Sequence, residues 1–493
     1  MNRRRVRLLL ALGASLAILL PVGWIWQASL LPASYSAMDM GFADYGGGPR
    51  SHPHEHTGEH AGAIDVSDLT EKVTGEPDVR VTLVARASTV KVAGQAIDGF
   101  TLNGRTPGPR IVVREGDLVH VTLRNESVTD GVSLHWHGVD VPNAEDGVAG
   151  VTQNAVRPGG EHVYRFVARQ TGTFWYHSHQ VSHEQVAGGL FGSLVVLPRG
   201  GIEQAGDVTA IAHTYGGNRT LNGRATDTVV RARAGETMRV RVINTDNGVL
   251  ATWATGPYRL LAVDGTDLSE PSMIRDRRID VPAGGRADLG VTVPKSGGVT
   301  VFVGAATRLQ IVGTGDDGEP AHLSGAPPTQ SVDLMTYGKP PASGASEPTP
   351  DRVFDYSIGR RPGFLDGKPG FWWTVNGRMF PDVPMFTVRE GDVVKFRVEN
   401  HSGETHPMHL HGHHARIVSI DGRRSSGSPV WVDSVDVRDG HSVDLVFRAD
   451  NPGIWMDHCH NLPHANEGLV AHLMYEGVTT RYRIGGPGRN APE

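Results

Sequence analysis

Cysteine is almost absent from this sequence. Among 493 residues there is one cysteine, Cys459, so an intrachain disulfide framework is excluded. Long helical patterns are scarce, and no dense basic run follows the first seven residues. Together with a mild net charge of -6, this argues against nucleic acid as a partner. The chain is also too long for one ordinary hydrophobic core, so two to four domains are expected.

Glycine and proline, in contrast, are abundant, with 63 and 31 residues. They interrupt short runs rich in valine and threonine, and hydrophobic residues make up 39% of the chain, enough to bury several cores. Short β-prone runs separated by turn residues are typical of an all-β protein.

The N-terminus has the pattern of an export or anchoring segment. Four arginines within the first seven residues precede an apolar run from Leu8 to Trp26. As a helix, this run is just long enough to cross a bilayer core of about 30 Å, with its positive charge on the cytoplasmic side. It is longer than a typical signal h-region and contains Pro21. We favour an uncleaved anchor over a cleaved signal peptide, and we expect the rest of the chain to work outside the cytoplasm.

An internal repeat organises the remaining sequence. The motif Thr-x-Asn-Gly-Arg occurs at residues 101–105, 220–224 and 374–378. Asn-Gly indicates a tight turn, and each copy is followed by a stretch that alternates apolar and polar residues with period two. Three such units, with short strands and turn residues, predict three Greek-key β-sandwiches.

The predicted divisions of the chain follow from this repeat. They are a membrane anchor or signal (1–30), a flexible linker rich in His and Gly (31–76), a first sandwich (77–200), a second (201–345), a third (346–480) and a tail (481–493).

The repeats differ most in their histidines. The first and third units each carry two His-x-His motifs at matching positions, whereas the second carries none. The four pairs are His135 and His137, His177 and His179, His409 and His411, and His458 and His460. In a strand, residues two apart point to the same face, so each motif offers two imidazoles side by side. Eight imidazoles suit three metal ions, bound where the first unit meets the third.

The single cysteine indicates which metal is bound. Cys459 lies between two of these histidines, and together with His406 and His464 it forms a His2Cys set, the pattern of a blue-copper site. Zinc would also accept a cysteine ligand, but it has no redox chemistry and does not explain the neighbouring histidines. The first unit has Val132 and Ser178 where the third has His406 and Cys459, so only the third can build this site.

With these motifs, residues 77–480 resemble the three-domain multicopper oxidases, which include laccases, bilirubin oxidases and bacterial cuprous oxidases. The resemblance implies cupredoxin-like domains and four copper ions per chain: one type 1, one type 2 and two type 3. It implies type 2 ligands His135 and His409 and type 1 ligands His406, Cys459 and His464. The implied type 3 ligands are His137, His177, His179, His411, His458 and His460.

The same resemblance extends to residues around the coppers. The axial type 1 position is Leu469, which cannot bind copper, so a high reduction potential is expected. Asp146 lies eleven residues after His135, where relatives carry an acid, and is interpreted as a proton relay. Many bacterial relatives have Glu where this chain has Ala465, and Glu467 is a candidate substitute. Cys459, His458 and His460 would connect the two copper sites.

Several histidines outside these motifs have weaker signals. Residues 51–60 are rich in His, and Met38 and Met40 lie upstream. This segment is either a copper-binding tail or a solvated linker. His183 and His472 are expected to be hydrogen-bonded structural residues.

Three functions stay open at this stage. One is a laccase-type oxidase that passes electrons from phenols, aromatic amines or metal ions to dioxygen. Another is a cuprous oxidase in copper tolerance. The third is a copper-free structural relative in the cell envelope. The third unit and the complete histidine set disfavour a nitrite reductase. The sequence does not define an oligomeric state.

Overall fold

A computed structural model describes residues 3–49, 62–92, 94–314, 325–340 and 348–493. The chain begins with one long helix and a short arm. Their elements are α1 (Arg3–Ala28), β1 (Ser34–Tyr35), a 3-10 turn (Ala37–Asp39), β2 (Phe42–Asp44), β3 (Ile64–Asp65) and a second 3-10 turn (Val66–Asp68). The helix is long and apolar enough to cross a membrane, and none of its residues is buried against the rest of the protein.

The first sandwich contains two four-stranded sheets. Its elements are β4 (Val79–Val92), β5 (Gln95–Leu102), β6 (Ile111–Arg114), β7 (Leu118–Asn125), β8 (His135–His137), a 3-10 turn (Asn143–Glu145), β9 (Glu161–Val167), β10 (Gly172–His177), α2 (Ser182–Ala187) and β11 (Phe191–Leu197). The sheet orders are β5-β4-β7-β9 and β6-β11-β10-β8. The predicted period-two pattern explains the packing, because β7 buries Val119, Val121 and Leu123 in a core shared by both sheets.

The second sandwich has a six-stranded and a five-stranded sheet. Its strands are β12 (Gly206–Tyr215), β13 (Asn218–Leu221), β14 (Thr228–Ala232), β15 (Thr237–Asn244), β16 (Leu250–Ala254), β17 (Tyr258–Val263), β18 (Thr266–Asp267), β19 (Ile279–Val281), β20 (Arg286–Thr292), β21 (Gly298–Val303) and β22 (Arg308–Gly313). The sheet orders are β13-β12-β15-β20-β17-β18 and β14-β22-β21-β16-β19.

The third sandwich follows the same plan. Its elements are β23 (Arg352–Leu365), β24 (Lys368–Val375), β25 (Pro384–Val388), β26 (Val393–Asn400), β27 (His406–Leu410), β28 (Ala415–Ile420), β29 (Arg423–Arg424), β30 (Trp431–Val432), β31 (Ser434–Val437), β32 (Ser442–Arg448), β33 (Ile454–Cys459), α3 (Leu462–Asn466) and β34 (Val470–Tyr475). Short strands β35 (Val478–Thr479) and β36 (Ile484–Gly485) close the chain.

One sheet of the third sandwich recruits a strand from the N-terminal arm. Its order is β2-β25-β34-β33-β27-β31, so β2 forms the edge; the other sheet runs β24-β23-β26-β32-β28-β29, with β30 paired to β28. The prediction of a flexible linker over 31–76 is therefore wrong for the described parts of this segment. Its apolar residues Ala37, Met40 and Val66 are buried, and that burial fixes the arm in place. The His-rich residues 51–60 lie outside the described residues.

The all-β prediction is confirmed, since strands dominate every unit and helices are confined to α1 and two short segments beside the histidine motifs. The tail is also folded: β36 pairs with β1, and the side chain of Asn490 is buried.

Candidate metal centre

The four His-x-His motifs meet where the first and third sandwiches touch. In the first, β8 pairs with β10 so that His135 lies opposite His177. In the third, β27 pairs with β33 so that His409 lies opposite His458. The two strand pairs are equivalent in the repeat, and they bring all eight side chains into one buried group, which we call the eight-histidine cluster. Its members are His135, His137, His177, His179, His409, His411, His458 and His460.

Ring contacts across the cluster show the pairing of the two units. The ring of His135 stacks on that of His411 with centroids 3.7 Å apart, and His137 stacks on His409 at the same distance. Thus, in the motifs at 135–137 and 409–411, the first histidine of each motif packs on the second histidine of the other. Potential ligand atoms converge in three all-histidine groups: His135 with His409 and His411; His135 with His137 and His177; and His179 with His411 and His458.

Oxygen atoms around the cluster set the orientation of most rings. Backbone carbonyls accept a hydrogen bond from Nδ1 of His135, His177, His179, His409 and His458 at distances from 2.9 to 3.2 Å. With the proton on Nδ1, each of these rings has its Nε2 lone pair available to a metal.

Five ring nitrogens of the cluster have no hydrogen-bond partner among the described residues. They are His137 Nδ1, His177 Nε2, His179 Nε2 and both nitrogens of His460. A buried polar atom without a partner costs about 1–3 kcal/mol, so this concentration of them indicates atoms reserved for metal bonds. Burial, reinforced by neighbouring histidines, also holds the pKa of His177, His179 and His460 well below the usual value, which keeps these rings neutral and able to bind a cation.

Asp146 lies at the edge of the cluster, between histidines of both sandwiches. It accepts a hydrogen bond from His135 Nδ1 at 3.0 Å and from His411 Nδ1 at 3.1 Å. The side chain is fully buried, and it follows the 3-10 turn Asn143–Glu145. This carboxylate therefore bridges one ring of the first sandwich and one of the third.

A second carboxylate at the cluster, Asp433, was missed by the sequence reasoning. It accepts a hydrogen bond from His137 Nε2 at 3.1 Å and a bidentate pair from Arg286 at 2.6 Å. Burial alone would raise the pKa of Asp433, but Arg286 and three histidines, including His414, more than offset it, so the pKa is well below its usual value. No motif marks this residue, because its partners lie far away in the sequence.

The second sandwich also contributes to the site, although it has none of the paired histidines. Besides Arg286, it supplies Gly284, whose carbonyl accepts a hydrogen bond from Trp175 Nε1 at 3.0 Å. A Cβ at Gly284 would lie 2.8 Å from His137 Cε1 and 2.9 Å from His460 Cδ2. No histidine motif includes Arg286 or Gly284, so the sequence reasoning missed both.

Glu493 was also missed and is buried beside the cluster. Its Oε1 is 3.4 Å from His458 Nδ1, and its Oε2 accepts a hydrogen bond from Ser182 Oγ at 2.7 Å. Burial raises the pKa of Glu493 to about 8. No local sequence pattern distinguished Glu493 from an ordinary exposed acid.

The mononuclear set predicted from sequence is also assembled. Cys459 Sγ lies 3.6 Å from His406 Nδ1 and 3.8 Å from His464 Nδ1. His406 Nε2 contacts Ser402 Oγ at 2.7 Å and His464 Nε2 contacts Asn461 Nδ2 at 3.1 Å, so both Nδ1 atoms face the sulfur. Burial lowers the pKa of His406 to about 3, helped by the charges of His464 and Arg360.

The donor set of this second site fits copper. A thiolate with two imidazoles is a soft combination that copper favours, and the residues present hold these atoms within 4.8 Å of one another. Leu469 is fully buried, and its carbonyl accepts a hydrogen bond from the Cys459 amide at 3.1 Å. Ala465 is buried and carries no acid, whereas Glu467 accepts a hydrogen bond from Trp373 Nε1 at 2.9 Å.

Comparison with known proteins agrees with this geometry. Two multicopper oxidase family models match residues 84–201 and 347–477. The chain is 26% identical to the multicopper oxidase MmcO of Mycobacterium tuberculosis, covering 84% of this chain and 90% of that protein. It is 25% identical to Laccase-1 of Botryotinia fuckeliana, covering 83% and 84%.

Solved structures show the same relationship. The crystal structure of a multicopper oxidase from Pseudomonas thermotolerans has a TM-score of 0.65 and 25% identity, covering 80% of this chain and 99% of the other. This similarity confirms the cupredoxin-like architecture. Because the two family models and these relatives match the chain, it belongs to the multicopper oxidase family.

Proposed function

We propose that the protein is a laccase-type oxidase. It takes electrons one at a time from a small reducing substrate and uses four of them to reduce dioxygen to water. The observation that carries this proposal is the position of Cys459. Its sulfur belongs to the mononuclear site, and its chain neighbours His458 and His460 belong to the eight-histidine cluster. A few covalent bonds therefore connect the two sites, which allows electron donation and oxygen reduction to occur apart.

Four copper ions per chain are part of this proposal. His406, Cys459 and His464 would hold the type 1 ion, and His135 and His409 the type 2 ion. The type 3 pair would be held by the remaining histidines of the cluster, namely His137, His177, His179, His411, His458 and His460. When bound, copper supplies one-electron redox chemistry and a binding place for dioxygen.

The protein's own side chains supply electron entry and protons. His464 is the one ligand of the mononuclear site that is partly exposed, so its ring edge is where a donor can make contact. Asp146 is the acid that we assign to proton delivery, because it contacts histidines of both sandwiches. Leu469 offers no donor atom, which we expect to raise the reduction potential of the mononuclear site.

An organic donor is favoured over Cu(I). A cuprous oxidase would be expected to expose soft methionine sulfur near the mononuclear site. The methionines of the third sandwich are all buried, namely Met379, Met385, Met408, Met456 and Met474. Phenols and aromatic amines need only reach the exposed edge of His464.

The location outside the cytoplasm rests on the N-terminal helix. We infer that α1 anchors the protein, with its arginines on the cytoplasmic side and the three domains, 77–200, 201–345 and 346–480, on the other.

Oxygen uptake separates the alternatives. Copper-loaded protein is supplied in turn with a phenol, Cu(I) and Fe(II), and steady-state oxygen consumption is recorded. The proposal predicts the highest kcat/KM with the phenol. Preference for Cu(I) would favour the cuprous oxidase, and no uptake with any donor would favour the copper-free relative.

A further inference from the structure

His472, at the centre of β34, has no role in either copper site. The sequence led us to expect a hydrogen-bonded structural histidine, and this expectation is wrong. The residue is 2% exposed, and neither ring nitrogen has a hydrogen-bond partner in the described part of the chain. Burial lowers the pKa of His472 to about 4, so the ring is neutral at pH 7 and carries a free lone pair.

Two methionines flank this ring in the sheet. The register places Met385 of β25 directly opposite His472 on one side and Met456 of β33 on the other. Directly opposed residues in neighbouring strands have side chains on the same face, and in an antiparallel pair such as β33 and β34 their Cβ atoms are about 5 Å apart. His472 therefore lies between two methionines in one row across the sheet, and both methionines are buried.

Part of this row borders a cavity of roughly 430 Å³. His472 and Met456 line it, together with Met40 from the N-terminal arm, which is 1% exposed. The strand that follows Met40, β2, pairs with β25, and this pairing fixes the arm beside the row. Glu493 also lines the cavity, but its carboxylate is directed to Ser182 and His458.

We propose that this methionine-histidine cavity binds one Cu(I) ion, in addition to the copper of the two sites described above. The ligands are the imidazole of His472 and the thioethers of Met456 and Met40, which line the cavity, with Met385 beside His472 in the sheet. Thioether sulfur selects soft cations such as Cu(I) over zinc or other hard divalent ions. The inference does not depend on the oxidase activity, because it concerns binding alone.

The location suggests a purpose for the N-terminal arm. The His-rich segment at 51–60 and its upstream methionines were candidates for copper binding, and Met40 is placed in the cavity itself. Met456 is two residues from His458 in β33, so the cavity lies about 7 Å along the strand from a ligand of the cluster. A Cu(I) ion held here would be next to the cluster that needs copper.

Silver provides the test, since Ag(I) is a redox-inert substitute for Cu(I). Copper-loaded holoprotein is titrated with Ag(I) by calorimetry, copper content is measured in parallel, and crystals soaked in Ag(I) are examined for anomalous density. We expect one Ag(I) beside His472 and Met456 with copper retained. His472→Leu and Met456→Leu should each weaken this binding at least tenfold.

The matched control is Met238→Leu, which alters a buried methionine of the second sandwich and should leave the binding unchanged. If a variant fails to fold, silver-soaked crystals of the wild-type protein still show whether Ag(I) binds in the cavity. The inference is overturned if they show no silver in the cavity, or if folded His472→Leu protein binds Ag(I) there as tightly as the wild type.

Discussion

His458 and Cys459 are consecutive residues of β33 whose side chains enter different metal sites. His458 Nε2 lies 3.2 Å from His411 Nε2 in the eight-histidine cluster, whereas Cys459 Sγ lies 3.6 Å from His406 Nδ1 in the mononuclear site. Alternation along a strand sends neighbouring side chains to opposite faces, so one strand serves both sites. This arrangement connects the two sites through the backbone of two consecutive residues.

Cys459→Ser should therefore abolish the mononuclear site and leave the eight-histidine cluster intact. Without a thiolate, the mononuclear site loses its soft ligand, so the intense thiolate-to-copper absorption and oxidation of phenols should disappear. Copper content should fall by about one ion per chain while the cluster stays filled. Absorption spectra and metal analysis measure both effects. Ser178→Ala alters the equivalent residue of the first sandwich and should keep the colour; a coloured, active Cys459→Ser protein would refute the assignment.

Leu469→Met should lower the reduction potential of the mononuclear site. The added thioether stabilises the oxidised ion, and for a one-electron couple each decrease of about 59 mV changes the electron-transfer equilibrium tenfold. A potentiometric titration of the thiolate absorption measures the shift. An unchanged or increased potential would show that position 469 does not face the metal.

Asp146→Asn should slow oxygen reduction without changing electron entry. The amide keeps the shape of the side chain but cannot pass a proton, and loss of general acid catalysis reduces rates by about 10²- to 10⁴-fold. Stopped-flow spectroscopy should show normal reduction by a phenol under argon and slow reoxidation by oxygen. Asp98→Asn, at an exposed position of β5, is the control. Equal reoxidation rates in both variants would rule out the relay.

Asp433→Asn should destabilise the fold, because it removes the carboxylate that forms the bidentate pair with the buried Arg286 guanidinium and leaves only Asp264, at 3.6 Å, as a salt-bridge partner. Breaking a buried pair costs about 3–5 kcal/mol, and the double variant Asp433→Leu with Arg286→Met should recover part of this loss. Thermal unfolding measures the effect. The exposed pair of Arg423 and Asp333 is the control, since Asp333→Asn should cost about 1 kcal/mol or less.

The pair of Asp433 and Arg286 should also make the stability of the fold depend on pH. The pKa of Asp433 is lower in the folded protein than in the unfolded chain, where it is about 3.9. Its stabilisation is thus complete above about pH 4 and is lost as the pH falls through the lower, folded value. Wild-type unfolding should be more acid-sensitive than that of the double variant. Parallel curves below pH 4 would contradict this assignment.

Gly284→Ala should damage the cluster while leaving the mononuclear site coloured. The added methyl group would meet His137 and His460 at less than 3 Å, so these rings would have to move. Copper content and electron paramagnetic resonance measure the loss. Gly377→Ala is the matched control, because Gly377 also has positive φ but no atom within 4 Å of the place that an added methyl group would take. Equal copper content in both variants would show that the cluster tolerates the contact.

The sequence predicted that the histidines cluster because their motifs are repeated. His135 and His409 occupy equivalent positions in two copies, and comparison of the copies identified His406 and Cys459 as departures of the third unit from the first. Asp433, Gly284 and Glu493 lack such a signal, because they reach the cluster through contacts between units that are distant in sequence. The N-terminal arm was missed for a related reason: β2 is only three residues long, too short to show a period.

The central claim is tested most directly by the copper content and spectrum of the purified, copper-loaded protein. The account predicts about four ions per chain, intense absorption from the Cys459 thiolate, and paramagnetic resonance signals from two distinct copper types. A colourless protein with far fewer than four ions per chain would contradict it.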